Sequence, residues 1–364
     1  MENQKTLLTK LAMPFVAPVI AIIIAFLVGA ILIALLGRNP VVVYQTLLEG
    51  GLSGWPNLSV TLQMTTPLLF TGLSVAIAFR AGLWNIGAEG QMLIGAMFAG
   101  VAGYALSGLP LIIHLPLCIL LGFLGGLLWA SIPALLRVYL GVNELVVCLM
   151  LNPIALLLTG YISTKALKAP GPTNKLPDIA ETAYLPSFSI YSQLNAGIIL
   201  GIAVCLFFLV FNATTVRGFI WKLIGLNPRF ANYGGIDVKT NALWVMLVSG
   251  GVAGLAGVEQ VLGQYHAFYD NFSPGFGFDG IAVAMLANSN PLGVIAASLL
   301  FGTLNGGSAI LQMTTGLSKY FVQVLQFIVV LVLAAKFVWR RKPGPLKPKP
   351  ATTTSQPQSA PQEA

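Results

Sequence analysis

Long apolar runs constrain this chain more than any other feature of its sequence. Charges and turn residues divide it into ten apolar runs, most of them near the length of about 20 residues that an α-helix needs to cross a bilayer. Of the 364 residues, 56% are hydrophobic and only 8% are charged, against about 25% charged in a typical soluble domain. So few charges cannot cover a water-facing surface. The sequence therefore excludes a soluble globular protein and predicts an all-α, polytopic helical membrane protein.

The runs predict about ten transmembrane helices, some of them broken or re-entrant. The eighth run is too short for a full crossing and predicts a half-helix. The predicted crossings are Met13–Leu36, Leu58–Phe79, Gly90–Leu106, Ile112–Leu136, Asn143–Tyr161, Ala196–Phe211, Ala242–Leu262, Gly280–Asn288, Pro291–Leu311 and Tyr320–Trp339.

The distribution of Lys and Arg predicts the orientation, because cytoplasmic loops carry the excess of these residues. With both termini cytoplasmic, only five of the 19 basic residues lie outside. The net charge of +8 then reflects topology and anionic lipid rather than nucleic acid. Residues 1–342 are predicted to form the transmembrane domain. Residues 343–364, rich in Pro and Lys and then in Ser, Thr and Gln, predict a disordered cytoplasmic tail.

The sequence contains no recognisable catalytic motif. The motif G-x-x-x-x-G-K-[ST], which would bind ATP phosphates, does not occur. The only histidines are His114 and His266, and the cysteines Cys118, Cys148 and Cys205 lie in apolar runs where core packing is expected. We therefore expect no catalytic residues, no metal and no cofactor, and we assign any ATP hydrolysis to a partner.

The most informative stretch is Arg80–Gly100, RAGLWNIGAEGQMLIGAMFAG. Its glycines predict a broken membrane helix, in which unwound backbone faces a cavity or a substrate. A carboxylate at membrane depth costs about 2.5–3.5 kcal/mol on insertion scales, so the acidic residue here should be paired or face water. The candidate pathway residues are Asn85, Glu89 and Gln91. The alternative is that Glu89 and Asn85 cap a helix end near the inner interface.

A second break is predicted at Phe276–Pro291. Asp279 precedes a short apolar stretch, and the turn from Asn288 to Asn290 predicts a helix that starts with Pro291 at its first position. Asp279 and Asn288 are candidates for the substrate pathway, although a plain helical hairpin is the favoured interpretation.

Other polar and aromatic residues have two interpretations each. Glu144 follows Asn143 at a predicted helix start, where capping is favoured. Glu259 and Gln260, near the outer end of the seventh helix, stay ambiguous. Aromatic residues near an external mouth could stack on a flat ligand, but anchoring at the bilayer interface is favoured; they are Trp55, Tyr265, Phe268, Tyr269, Phe272, Phe276 and Phe278.

Two long segments lie outside the predicted helices. Lys165–Asn195 is the longest external loop and contains four prolines. Thr214–Thr240 is the longest internal loop and contains an amphipathic piece at Ile224–Tyr233, short enough to lie along the membrane surface. Pro228 suits the first turn of a short helix, and glycines at both ends suit sharp turns.

These features resemble a known family. The stretch Gly82–Gly95, GLWNIGAEGQMLIG, resembles a signature of the permease subunits of bacterial ABC importers for nucleosides, which belong with the ribose, galactose and branched-chain amino acid permeases. Gly225–Asp237, GLNPRFANYGGID, resembles the cytoplasmic coupling segment of the larger family. Val248–Gly257 and Gly275–Gly302 are similar to later parts of these proteins. The resemblance covers roughly residues 58–339.

The resemblance implies a multi-pass subunit of the bacterial cell membrane that has no catalysis of its own. It implies a second related permease, giving a heterodimer, a cytoplasmic ABC ATPase and an extracytoplasmic substrate-binding lipoprotein as partners. The segment Ile224–Ile236 would fit the ATPase. Its coupling residues would be Gly225, Asn227, Pro228, Arg229, Tyr233, Gly234 and Gly235.

The substrate class follows partly from charge. The interior offers no buried Lys or Arg for an anion, so a neutral polar solute is expected. Nucleosides come first, and a simple-sugar permease is the alternative. An ion-coupled secondary transporter also stays open, and a channel is a weaker third hypothesis. In the secondary transporter the coupling carboxylates would be Glu89, Glu144, Glu259 and Asp279.

Overall fold

The computed structural model describes residues 2–189 and 191–340, with side chains from residue 19 to residue 333. The described residues form α-helices joined by turns and by one longer segment between α6 and α7, and they contain no β-strand, which confirms the all-α prediction. The predicted disordered tail, 343–364, lies outside them. The helices are α1 Glu2–Leu35, α2 Pro40–Leu52, α3 Gly54–Arg80, α4 Ala88–Ala105, α5 Leu111–Leu140, α6 Glu144–Tyr161, α7 Gly197–Thr214, α8 Val216–Leu226, α9 Pro228–Tyr233, α10 Val238–Glu259, α11 Phe276–Leu286, α12 Pro291–Thr315 and α13 Tyr320–Arg340.

Six of these helices are long and apolar enough to cross a membrane: α3, α5, α6, α7, α10 and α12, with α6 and α10 each extended by a π-helical turn. A seventh span results if α1 and α2, which meet at an angle of 118°, are counted as one. The predicted number of ten crossings is larger than this. The sequence also missed α2, which lies between the first two predicted crossings.

The short eighth helix is confirmed, with shifted bounds. Helix α11 has 11 residues and runs from Phe276 to Leu286 instead of Gly280–Asn288. At 1.5 Å per residue it is about 16 Å long, roughly half of the hydrocarbon thickness of about 30 Å.

Glycines let the central helices approach each other closely. Helix α10 packs against α4 and α5, and its residues from Ser249 to Gly263 are buried. A Cβ atom on Gly126 of α5 would lie 2.8 Å from the Cα atom of Gly254 on α10. Small residues at such crossings allow the backbone contact that drives helix packing in membranes.

The outer and inner sides of the bundle are named after the orientation predicted from charge. On the outer side, residues 167–189 and 191–195 belong to a segment that we name the outer cap. Its backbone is fastened to the helix ends: the amide of Ala180 donates to the carbonyl of Gly103, and that of Leu185 donates to Leu262, both at 2.9 Å. The cap is therefore an ordered cover over the outer ends of α4 and α10.

Local predictions about helix starts and cysteines are confirmed. The side chain of Asn143 accepts a hydrogen bond from the amide of Leu145 and begins α6. Pro291 and Pro228 stand at the first positions of α12 and α9. All three cysteines are buried and free.

Candidate functional site

The break between α3 and α4 is held by a cluster of amide and hydroxyl groups. The side chains of Asn85 and Gln91 donate to each other's oxygen, both at 2.8 Å. Asn85 also donates to the hydroxyl of Ser249 at 2.7 Å, and that hydroxyl donates to the carbonyl oxygen of Ser74 at the same distance. We name Ser74, Asn85, Gln91 and Ser249 the amide cluster.

The amide cluster is enclosed: each of its four residues is at most 1% exposed. Asn85 additionally accepts from the amide of Gly87 at 3.2 Å, just before α4 begins. The polar groups of the cluster therefore form hydrogen bonds with one another, and these bonds hold the broken segment against α3 and α10. The structure brings Asn85 and Gln91 into direct contact, and the N-cap of α4 is Gly87, without a hydrogen bond from a capping side chain.

Glu89 has a different environment, because its carboxylate meets a second helix start. It lies in the first turn of α4 and accepts a hydrogen bond of 2.6 Å from the amide of Gly277, in the first turn of α11. Gly277 has no room for a side chain, since a Cβ atom there would collide with the Glu89 backbone. Two helix N-termini therefore meet at one carboxylate.

Asp279 supplies a second carboxylate to the same place. It lies in the first turn of α11, close to Asn305 of α12, and like Glu89 it retains 8% exposure. The N-terminus of a helix carries a partial positive charge of about half an elementary charge. Each helix start is thus matched by an acidic side chain. We name Glu89, Gly277 and Asp279 the acidic junction.

The acidic junction lies within the bundle, away from both of its ends. One turn beyond Gly277, Gly280 packs directly on Thr71, in the interior of α3. Asn305, beside Asp279, is the neighbour of Gln326 on α13, whose side chain donates to it at 2.9 Å. Of the predicted pathway residues, the fold therefore brings Glu89 and Asp279 together.

Asn288 lies apart from the acidic junction. It is exposed on the turn between α11 and α12, with a left-handed φ of 51°. A cleft of about 240 Å³ beside it is lined mostly by apolar side chains, including Val19 of α1 and Leu300 of α12. The prediction of a tight hairpin turn is confirmed here.

Glu144 connects neighbouring segments in the inner half of the bundle. It forms an ion pair with Arg137 of α5 and accepts from the amide of Trp84 at 3.4 Å. The capping side chain of α6 is Asn143, whereas Glu144, for which capping was favoured, lies in the first turn of the helix. The ion pair with Arg137 was not predicted from the sequence.

Glu259 and Gln260 join α10 to the outer cap. The Glu259 carboxylate accepts from the side chains of Asn195 at 2.9 Å and Gln260 at 2.7 Å. All three residues are at most 2% exposed. We name them the outer latch. The sequence left Glu259 ambiguous, because its partner Asn195 lies on a loop 64 positions away.

The aromatic candidates divide into two groups. Trp55 and Phe278 are 48% and 40% exposed. Phe268 and Phe276 are buried, and Phe272 packs edge-on against Phe268 with ring centroids 5.6 Å apart. Tyr265 and Tyr269 complete this cluster beneath the outer cap. Most of these rings therefore pack against protein.

The predicted amphipathic piece Ile224–Tyr233 contains the end of α8 and the whole of α9, which are separated at Asn227. Asn227 has an extended backbone, and its side chain accepts from the amide of Phe230 at 3.0 Å, so that α9 starts afresh at Pro228. Of the glycines expected to turn the chain, Gly235 alone has a left-handed φ, of 80°.

The predicted coupling segment is an exposed knob anchored on the transmembrane helices. Leu226, Phe230 and Tyr233 are 74%, 61% and 89% exposed. Gly225 packs directly on the backbone of Arg80 at the end of α3. After the knob, Asp237 caps α10 by accepting from the amide and the hydroxyl of Thr240, and these hydrogen bonds lower the pKa of its carboxyl. The knob thus connects the end of α3 to the start of α10.

Metal binding has no counterpart in the described part of the chain, where no group of three or more His, Cys, Asp or Glu side chains could hold an ion.

Comparison with known proteins gives extensive matches. The family described as branched-chain amino acid transport system, permease component, matches residues 57–334. The guanosine ABC transporter permease protein NupP of Bacillus subtilis is 36% identical over 341 residues, which cover 92% of this chain and 97% of NupP. The nucleoside ABC transporter permease protein NupB of Lactococcus lactis is 33% identical, over 88% of this chain and 91% of NupB.

A relative named for another substrate has a similar level of identity. The glucose ABC transporter permease protein TsgB13 of Haloferax volcanii is 31% identical, over 89% of this chain and 88% of TsgB13. No solved structure matches the chain.

Proposed function

The chain belongs to the permease component family of branched-chain amino acid transport systems, and on that premise we propose that it is the membrane-spanning subunit of a bacterial ABC importer for nucleosides. The names of NupP and NupB support nucleosides. The name of TsgB13 keeps a simple sugar as the alternative. Both are neutral polar solutes.

The observation that carries the choice of a neutral solute is the acidic junction. In transporters, the N-termini of broken helices commonly point at anionic groups of the substrate. Here the carboxylates of Glu89 and Asp279 already occupy both helix starts, and Glu89 accepts directly from the amide of Gly277. An anionic substrate would meet two carboxyl groups there, whereas the hydroxyl groups of a nucleoside can donate hydrogen bonds to the carboxyl oxygens.

The substrate pathway of this proposal comprises Glu89 and Asp279 as the residues that face the solute. Asn85 and Gln91 hold the broken helix in place behind them. Asn288 shapes the inner turn at which α11 and α12 meet.

We assign a surface on this chain to two of the three proposed partners. A cytoplasmic ABC ATPase would bind the exposed knob of residues 224–236 and would carry out the hydrolysis, so that this subunit is not an enzyme. A substrate-binding lipoprotein would meet the outer cap, and a second related permease would complete the pathway. In this arrangement the chain crosses the bacterial cell membrane ten times, with both termini in the cytoplasm.

The test is uptake in vesicles that contain this chain, its ATPase, the second permease and the binding protein. We expect uptake of a radiolabelled nucleoside that requires ATP and survives a protonophore, with weak competition by glucose or ribose. Uptake abolished by the protonophore would favour the ion-coupled alternative. Stronger competition by a sugar than by any nucleoside would assign the alternative substrate class.

A further inference from the structure

The side chains that α5, α6 and α7 expose are suited to contact with lipid. Their exposed positions are apolar or aromatic, apart from Thr214 at the end of α7. Leu124, Leu157 and Phe207 represent the three helices, with 41%, 73% and 60% exposure. This part of the surface therefore fits the acyl chains of the bilayer.

One side of α12 differs from these lipid-facing surfaces, because polar side chains are exposed on it. A stripe along it follows alternating steps of four and three residues, which keep side chains on one face of a helix. From the inner to the outer end the stripe reads Val294, Ser298, Phe301, Asn305, Ser308 and Gln312.

The exposure of the stripe changes along the helix. Its first three members are buried, Asn305 and Ser308 are half-buried, and Gln312 is exposed. The change occurs beside Asp279, where α11 starts, because this half-length helix runs only from there to the inner side. The stripe is thus uncovered where α11 is missing, and there it is polar throughout.

Such a surface does not suit lipid. A polar group in hydrocarbon costs free energy unless it is hydrogen-bonded, and polar residues within membrane helices face the bundle interior or a water-filled cavity. Ser308 bonds within its own helix at 2.6 Å, but Gln312 has no side-chain partner among the described residues. The uncovered stripe also leads straight to the acidic junction, through the contact of Asn305 with Asp279.

We propose that Asn305, Ser308 and Gln312 line the outer half of the translocation pathway and guide the solute from the outer mouth to the acidic junction. The opposite wall is formed by the second permease, so this inference rests on the proposed function. The lining offers amide and hydroxyl groups without a net charge, which suits a solute rich in hydroxyl groups.

The test uses single cysteines in the complete transporter in intact cells. Ser308→Cys and Gln312→Cys place thiols on the stripe, and the native cysteines are buried, so the unmodified protein gives the background. Val324→Cys on α13 is the control for depth. Val324 is 43% exposed on an apolar face. The hydrogen bond between Gln326 and Asn305 places these two residues at the same depth. Val324 lies two residues outward of Gln326 and Ser308 lies three residues outward of Asn305, so the two thiols have a similar depth.

An impermeant maleimide added outside should label both stripe variants at least about tenfold faster than Val324→Cys, because the reactive thiolate forms in water and not in lipid. Labelling of Ser308→Cys should also stop uptake. Equal, slow labelling of all three variants would overturn the proposal, and so would fast labelling that leaves uptake intact. The labelling pattern does not depend on which solute is transported. The nucleoside assignment is tested separately, by uptake in the unmodified transporter, so the failure of one proposal can be distinguished from the failure of the other.

Discussion

The carboxylate of Glu259 accepts a hydrogen bond of 2.9 Å from the side chain of Asn195, and this contact joins the outer cap to the end of α10. Helix α10 has 22 residues and starts at the cap residue Asp237, directly after the exposed knob. One continuous helix therefore runs from the proposed ATPase site to the segment that would meet the binding protein.

Removing the outer latch should loosen the cap. Asn195→Ala leaves the buried Glu259 carboxylate with one donor fewer, and an unsatisfied buried polar group costs about 1–3 kcal/mol. We expect a lower melting temperature of the detergent-solubilised protein. Gln193→Ala is the control, because that exposed side chain is close in sequence and stands outside the latch. Equal melting of the two variants would mean that the hydrogen bond contributes no stability.

The acidic junction and the amide cluster should both matter for transport. Glu89→Gln replaces the carboxyl group at the two helix starts by an amide, and Asn85→Ala leaves the side chains of Gln91 and Ser249 without their common partner. We expect both to lower the initial rate of uptake more than Leu206→Ala on the lipid-facing side of α7, at equal membrane expression. Uptake at the unmodified rate in both variants would favour the capping interpretation alone.

The exposed knob should carry the coupling to the ATPase. Pro228→Gly combined with Tyr233→Asp removes the fixed start of α9 and charges its most exposed aromatic ring. We expect the permease to insert normally while association with the ATPase and ATP-dependent uptake both fall. The measurements are co-purification and vesicle uptake. Tyr139→Asp, at an exposed tyrosine near the end of α5, is the matched control and should retain both. Full retention in the double variant would exclude this knob as the coupling element.

The predicted orientation places the outer cap outside the cell and the loop before α8 inside. Ser187→Cys should therefore react with an impermeant maleimide in intact cells, whereas Thr215→Cys should react only after the membrane is opened. The reverse pattern would invert the orientation and would move the knob away from any cytoplasmic partner.

Asp237 should make the start of α10 sensitive to acid. Hydrogen bonds from Thr240 lower its pKa in the folded protein, so its contribution to stability is complete above the pKa of the unfolded chain. The contribution is lost as the pH falls through the lowered value. Asp237→Asn keeps a capping side chain that does not titrate. Measured between pH 7 and pH 3, the melting temperature of the unmodified protein should fall relative to that of this variant. A constant difference would contradict the assignment.

The sequence by itself determined the features that depend on near neighbours in the chain. Hydrophobic runs gave the all-helical membrane fold and the short α11, and the starts of α6, α9 and α12 followed from Asn143, Pro228 and Pro291. A cap or a proline acts within one helical turn, so its effect can be predicted without knowledge of the rest of the fold.

Helix α2 shows where such local prediction fails. Glu49, Gly50 and Gly51 stand just before its end at Leu52, and the low helix propensity of glycine argues against a helix there. In the folded protein the glycines let α2 pack on α12, where Gly51 meets Thr303, and this packing compensates for their low helix propensity.

Only the tertiary structure decided which polar groups meet. Glu89 and Gly277 are 188 positions apart, and Asn85 reaches Ser249 across 164. Hydropathy and spacing mark Glu89 and Asn85 as unusual at membrane depth, but they do not determine the partner of either residue. The partner depends on how closely whole helices approach, and that is set by glycines such as Gly254 and Gly277 on other helices. The sequence therefore predicts that buried polar residues need partners, and helix packing selects them.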